Sequence, residues 1–230
     1  MDAGTNVNYL AQAFAWIADP AHQGGPGGIW ARLGEHLLYT LIATTAAAAI
    51  AIPLGYWIGH TGRGRGLIVG ATGVARALPT LGVLTLIALL AGVGVGAPLA
   101  ALAVLALPSI LAGAYAGLDA IPASTIDAAR ALGMSEWQVL TRVEIPLGLP
   151  QLIGGLRSAT LQVVATATLV AYVGGGGLGR YLFLGLKTQD YPQMLAASLL
   201  AVGLAITGEV CFGVLSWLIG RRRPLALSNE

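Results

Sequence analysis

Residues 127–146 read DAARALGMSEWQVLTRVEIP. Asp127, Arg130, Glu136, Arg142 and Glu144 fall in this stretch, with Asp119 in the turn before it, while the flanks are almost wholly Ala, Leu, Val, Ile and Gly. A charged, helix-like island closed by a proline, with apolar runs on either side, marks a connection kept out of lipid by a chain otherwise immersed in it. The rest of the sequence agrees. Of its 230 residues 56% are hydrophobic and 10% charged, against roughly a quarter charged in an ordinary soluble domain. Mean hydropathy is +0.77. A chain of this size cannot hide so much apolar surface in a water-soluble core, so its solvent is predicted to be lipid.

The net charge of +2 gives no reason to expect a nucleic-acid partner. Cys211 is the single cysteine and lies inside an apolar run, so no disulfide framework is expected. The amino terminus begins Met-Asp with no basic region, which predicts no cleavable signal peptide.

Five apolar runs reach the length of about 20 residues that crosses a bilayer: 37–59, 67–93, 98–118, 148–173 and 192–219. They are too long for barrel strands, and lipid tolerates no unpaired backbone, so helices are predicted. The expected class is an all-α integral membrane protein of about five transmembrane helices. Pro53, Pro79 and Pro108 lie inside these runs and are expected to kink them. The segment 1–36 is left as an external leader, either an interfacial amphipathic helix or a partly disordered tail. Residues 37–219 form the transmembrane domain, 119–147 its charged loop, and 220–230 a tail.

Basic residues orient the spans. Arg63, Arg65, Arg130, Arg142, Arg221, Arg222 and Arg223 fall on one face, Arg32, Arg180 and Lys187 on the other. Seven against three puts the amino terminus outside, and the carboxy terminus and the charged island in the cytoplasm.

Two helix starts are written into the island. Ser124 precedes Asp127 by three residues and Ser135 precedes Gln138 by three, the spacing of a capping box and its carboxylate relative. Gly133 suits the left-handed turn that ends a helix, and Pro146 is expected to end the second one. Ala128, Ala129 and Ala131 keep the first helix slim, and Leu132, Met134, Trp137, Val139 and Leu140 supply apolar anchors. From periodicity, a partner-docking hairpin and a structural connector fit equally.

Asp127-Ala128-Ala129, three residues, Gly133, nine residues, Val143-Glu144-Ile145-Pro146 resembles the EAA signature of the membrane subunits of ABC-type importers. That signature is Glu-Ala-Ala, three residues, Gly, nine residues, Ile, any residue, Leu-Pro. Asp for Glu, Val for Ile and Ile for Leu are the departures, and both spacings are kept. GEHLLYTLIATTAAAAIAIPLGYWIG (34–59), ALPTLGVLTLIALLAGVGVG (77–96) and TATLVAYVGGGGLGRYLFLGL (166–186) are similar to permeases for glycine betaine, choline, carnitine and related osmoprotectants. Methionine permeases resemble the chain less closely.

The resemblance implies the type I importer permease fold and a location in the cytoplasmic membrane. It implies that Asp127, Ala128, Ala129, Gly133, Val143, Ile145 and Pro146 couple the chain to two cytoplasmic ATPase subunits. A second permease copy, identical or similar, and an external binding protein are the other implied partners. No catalytic residue, metal or cofactor is expected in this chain, ATP and its magnesium belonging to the ATPase.

Two motifs invite a different reading. GGGGLG (174–179) matches G-x-G-x-x-G, but it follows a span rather than a strand of a βαβ unit. GLKT (185–188) fails as a P-loop because Leu186 separates Gly185 from Lys187.

Arg76, Arg157 and Glu209 lie about 13–17 Å inside spans at 1.5 Å per residue. Each costs about 2.5–3.5 kcal/mol at the bilayer centre, so Glu209 is expected to pair with Arg157, Arg76 or both. The group either holds spans together or lines the pathway. Tyr56, Trp57, Tyr115 and Tyr172 offer faces to a quaternary ammonium, although aromatics also serve simply as interface anchors.

A secondary transporter or channel is the competing class, but no internal repeat marks one. An enzyme is disfavoured: His22, His36 and His60 form no H-E-x-x-H motif, and no G-x-S-x-G elbow occurs.

Overall fold

The computed structural model describes residues 3–66, 68, 70, 73, 79–92 and 94–221, of which 3–8 by backbone alone. Among the described residues no strand occurs. The helices are α1 (Ala3–Ala18), α2 (Pro20–Gln23), α3 (Ile29–Thr61), α4 (Thr80–Ala91), α5 (Gly96–Asp119), α6 (Ala123–Ala131) and α7 (Glu136–Val139). A π turn, Leu140–Glu144, leads into α8 (Ile145–Ala167), and a 3-10 turn, Thr168–Val173, leaves it. α9 (Gly179–Thr188) and α10 (Tyr191–Arg221) complete the order.

Among the described residues, four helical runs are long and apolar enough to cross a membrane: Ile29–Thr61, Gly96–Asp119, Glu136–Val173 and Tyr191–Arg221. The run expected at 67–93 contributes α4, whose 12 residues fall short of a crossing on their own. Most of 67–78 lies outside the described residues.

Three proline and cap positions differ from expectation. Pro79 stands at the start of α4 rather than within it, extended at φ −68°, ψ 114°. Its ring disfavours helical backbone in the residue before it, so a helix begins more readily there than it continues. Ser124 caps nothing: Pro122 precedes α6, whose start carries no side-chain cap. Pro146 does not end a helix. The helical run passes through it because the π turn just ahead bonds the Ile145 amide to the Leu140 carbonyl, five residues back. The turn widens where the proline nitrogen has no hydrogen to offer.

The chain separates into two compact units. One comprises Thr45–Ala77, Ala106–Ala159 and Gly208–Glu230. Beside buried side chains such as Ile110 and Val139, its core has places where backbone meets backbone. A methyl group at Gly117 would sit 2.5 Å from the Gly148 carbonyl oxygen, and one at Gly113 would lie 2.8 Å from Gly155 Cα. Gly55 lies close against the Ala114 methyl and Gly59 against the Leu118 side chain. Lipid provides no hydrophobic force between helices, so close packing of small residues supplies the attraction.

The other unit comprises Met1–Thr44, Leu78–Leu105 and Thr160–Thr207. Leu84, Leu102, Val163, Val170 and Leu178 are among its fully buried side chains. The glycine-rich turn after Val173 is held by α3: Gly177 N donates to Glu35 Oε2 at 2.8 Å and Gly176 N to the Tyr39 hydroxyl at 3.3 Å. The buried His36 donates from Nε2 to the Val164 carbonyl at 2.9 Å. Within the leader, α1 has Ala13 buried and Trp16 stacked on His22 and edge-on to Tyr181.

Gly117→Val should therefore destabilise the protein by about 3 kcal/mol through overpacking, read as a lower melting midpoint in detergent. Gly154→Ala, where nothing lies within 4 Å of the new methyl, should leave that midpoint unchanged or slightly raised.

Candidate partner-docking site

The island folds as a helical hairpin with every turn bonded. Gly133 takes φ +82°, and its amide donates to the Arg130 carbonyl at 2.9 Å while the Met134 amide donates to the Ala129 carbonyl at 3.3 Å. This pair of bonds, a Schellman motif, satisfies the last carbonyls of α6, and glycine takes the left-handed position without a Cβ penalty. Two residues on, the expected capping box forms: Gln138 N donates to Ser135 Oγ at 3.4 Å and Ser135 N to Gln138 Oε1 at 2.8 Å. A guanidinium fork then joins the two helices. Arg130 donates to Glu136 through Nε at 2.9 Å and through its terminal nitrogen at 3.0 Å, with Asp127 3.8 Å away. Donating to the Glu136 carboxylate lifts the Arg130 pKa above its ordinary value.

Of the motif positions, Asp127, Ala128, Gly133 and Pro146 are exposed, Val143 and Ile145 half-buried, and Ala129 buried. The largest apolar side chains of the hairpin point away from it: Leu132 is 85% and Trp137 72% exposed. A rigid frame that bonds its own polar groups and leaves a leucine and a tryptophan uncovered is suited to receive a protein partner.

Beneath the frame Glu144 is only 5% exposed, and it accepts a 2.5 Å hydrogen bond from His60 Nδ1 at the end of α3. A buried carboxylate left alone would cost about 3–5 kcal/mol. The contact spans 84 residues of sequence. No periodicity could have revealed it; the one clue was a glutamate within an otherwise apolar motif ending.

Arg157 and Glu209 are brought together. Arg157 Nε donates to Glu209 Oε2 at 2.7 Å and a second guanidinium nitrogen meets Oε1, joining α8 to α10. Two parallel bonds are the strongest form of such a pair. Arg76 lies outside the described residues. Tyr56 and Tyr115 are half-buried and Trp57 exposed, while Tyr172 is exposed with its ring 5.7 Å from that of Phe183. Among the described residues none of the four stacks on another. At the glycine-rich turn, the Gly176 and Gly177 amides that a phosphate would need already bond the chain's own Tyr39 and Glu35.

Helices of membrane length, interleaved glycine backbones and an exposed, self-bonded hairpin together define a helical membrane protein. The chain belongs to the family described as the binding-protein-dependent transport system inner membrane component, which matches residues 51–223. It is similar to the glycine betaine/carnitine/choline transport system permease protein OpuCB of Bacillus subtilis, 32% identical over 180 residues, covering 78% of this chain and 83% of that one. The carnitine transport permease protein OpuCB of Listeria monocytogenes is 31% identical over 80% of this chain and 84% of its own. The osmoprotectant import permease protein OsmY of Salmonella typhimurium is 32% identical, with 83% and 80% covered. Among solved structures, a chain of the inward-facing MetNI methionine ABC transporter superimposes with a TM-score of 0.72 at 22% identity, over 83% of this chain and 95% of that one. An amino acid ABC transporter crystallised with histidines gives 0.63 at 19% identity, over 97% and 99%. The fold is that of type I ABC importer permeases, and the chain is a membrane-embedded permease component of such a system.

Arg157→Leu alone should strand Glu209 in the span and lower the melting midpoint in detergent. Arg157→Leu with Glu209→Leu should recover most of it, since replacing a pair by apolar groups is near neutral whereas breaking it is not.

Proposed function

We propose that this chain is the permease subunit of an ATP-driven importer for a quaternary-ammonium osmoprotectant such as glycine betaine, carnitine or choline. The observation that carries the coupling part of this reading is the hairpin: bonded within itself, closed by Gly133 and the Arg130–Glu136 fork, and offering Leu132 and Trp137 outward. The solute class is supported by the similarity to permeases named for glycine betaine, carnitine and choline.

In this reading the hairpin faces the cytoplasm and the amino terminus the outside, in keeping with the seven-to-three bias of basic residues. Leu132 and Trp137 enter a groove of the ATPase. The ATPase dimer closes on ATP and moves the hairpin as a rigid body, and the hairpin pulls on α5 and α8, which it joins. Alternating access is then a switch between two discrete arrangements. Two such permeases, identical or similar, enclose the pathway. An external binding protein delivers the solute and does most of the choosing, so the passage itself needs only weak contacts from residues such as Tyr56, Trp57, Tyr115 and Tyr172. ATP and magnesium are held by the partner, and this chain contributes no catalytic group.

Gly133→Val should leave the protein in the membrane yet uncouple ATP hydrolysis from uptake of labelled glycine betaine, because a β-branched residue is strained at positive φ. Undiminished uptake would count against the coupling role. Deleting 124–146 should abolish copurification with the ATPase; retained binding would place the docking surface elsewhere.

A further inference from the structure

We propose that His60 is a positioning residue of the coupling step, tying the hairpin to α3 so that motor motion reaches a helix the hairpin does not join through the chain. The inference rests on the reading of the hairpin as the site where the ATPase docks.

His60 is the next-to-last residue of α3, and its side chain is 15% exposed. Its two ring nitrogens face two carboxylates. Nδ1 donates to Glu144 Oε2 at 2.5 Å, and Nε2 stands 3.4 Å from Glu136 Oε2. Glu136 is the first residue of α7 and Glu144 the last of the π turn, so one imidazole touches both ends of the segment between them. The two contacts differ in kind. The Glu136 side chain is 59% exposed and already forked to Arg130, so its contact with His60 is long and solvent-screened. The Glu144 side chain is 7% exposed, and its bond is short. The Glu144 contact is therefore the one that transmits force, and the Glu136 contact links it onward to Arg130 and α6.

A structural role alone would make any loss at His60 a loss of folding. A positioning role predicts that the geometry of one nitrogen decides the outcome. Asparagine carries its amide nitrogen about where imidazole Nδ1 stands, and glutamine about where Nε2 stands. His60→Asn keeps a donor for Glu144 and His60→Gln keeps one for Glu136.

The test uses the whole importer in liposomes, this chain with its ATPase and binding protein, scoring labelled glycine betaine taken up per ATP hydrolysed. His60→Asn should hold that ratio within about twofold of wild type. His60→Gln should lower it by about fivefold or more, with membrane level, melting midpoint and ATPase copurification equal to those of His60→Asn. Adding Glu144→Gln to His60→Gln should bring no further loss, since the two act through one bond. A His60→Gln complex that couples as well as wild type, or two variants equally impaired, would overturn the proposal while leaving the docking site in place. A wild-type complex in which ATP hydrolysis drives no uptake would overturn the functional reading and this inference together.

Discussion

A peptide group inside a bilayer has no water to bond, and the whole molecule is shaped by that constraint. It accounts for the helical state of the long apolar runs among the described residues, and it removes the force that drives helices together in water. Contact at short range brings them together instead. The pairs Gly113–Gly155 and Gly117–Gly148 let α5 and α8 approach until backbone touches backbone, and the 33 glycines of the chain are in part the material for such seams. The same constraint governs charge: Arg157 and Glu209 are tolerated in their spans because each is the other's partner.

Outside the spans water competes for every polar group, so a rigid segment needs its own internal bonds. The hairpin supplies them in sequence order: two amide bonds at the glycine, two across the capping box, two across the guanidinium fork. None is strong alone when exposed, but they fix consecutive turns and leave little freedom between α6 and α7. This internal bonding is what the proposed relay of displacement through the hairpin would require.

Much of the architecture is legible in the sequence because it depends on local chemistry. Run length and hydropathy announce the long helices, Ser135 with Gln138 announces a cap, and Gly133 announces the turn. The intramembrane charges call for partners on desolvation grounds alone. The illegible part depends on a neighbour's geometry. Pro146 would stop an ordinary helix, and only the wider turn ahead of it lets the helix continue. Ser124 has the spacing of a cap, yet Pro122, two residues earlier, sets where the helix starts. His60 with Glu144 and Glu35 with Gly177 join positions far apart in sequence, and no motif or period connects them.

The wide turn at Leu140–Glu144 has an architectural meaning as well. One extra residue in a single turn rotates the preceding helix by about 100° relative to α8. The azimuth at which Trp137 leaves the helix is thereby decoupled from the stripe that α8 presents to lipid and to α5. A permease built this way can re-aim its hairpin toward a differently shaped partner without changing the stripe that α8 packs against α5.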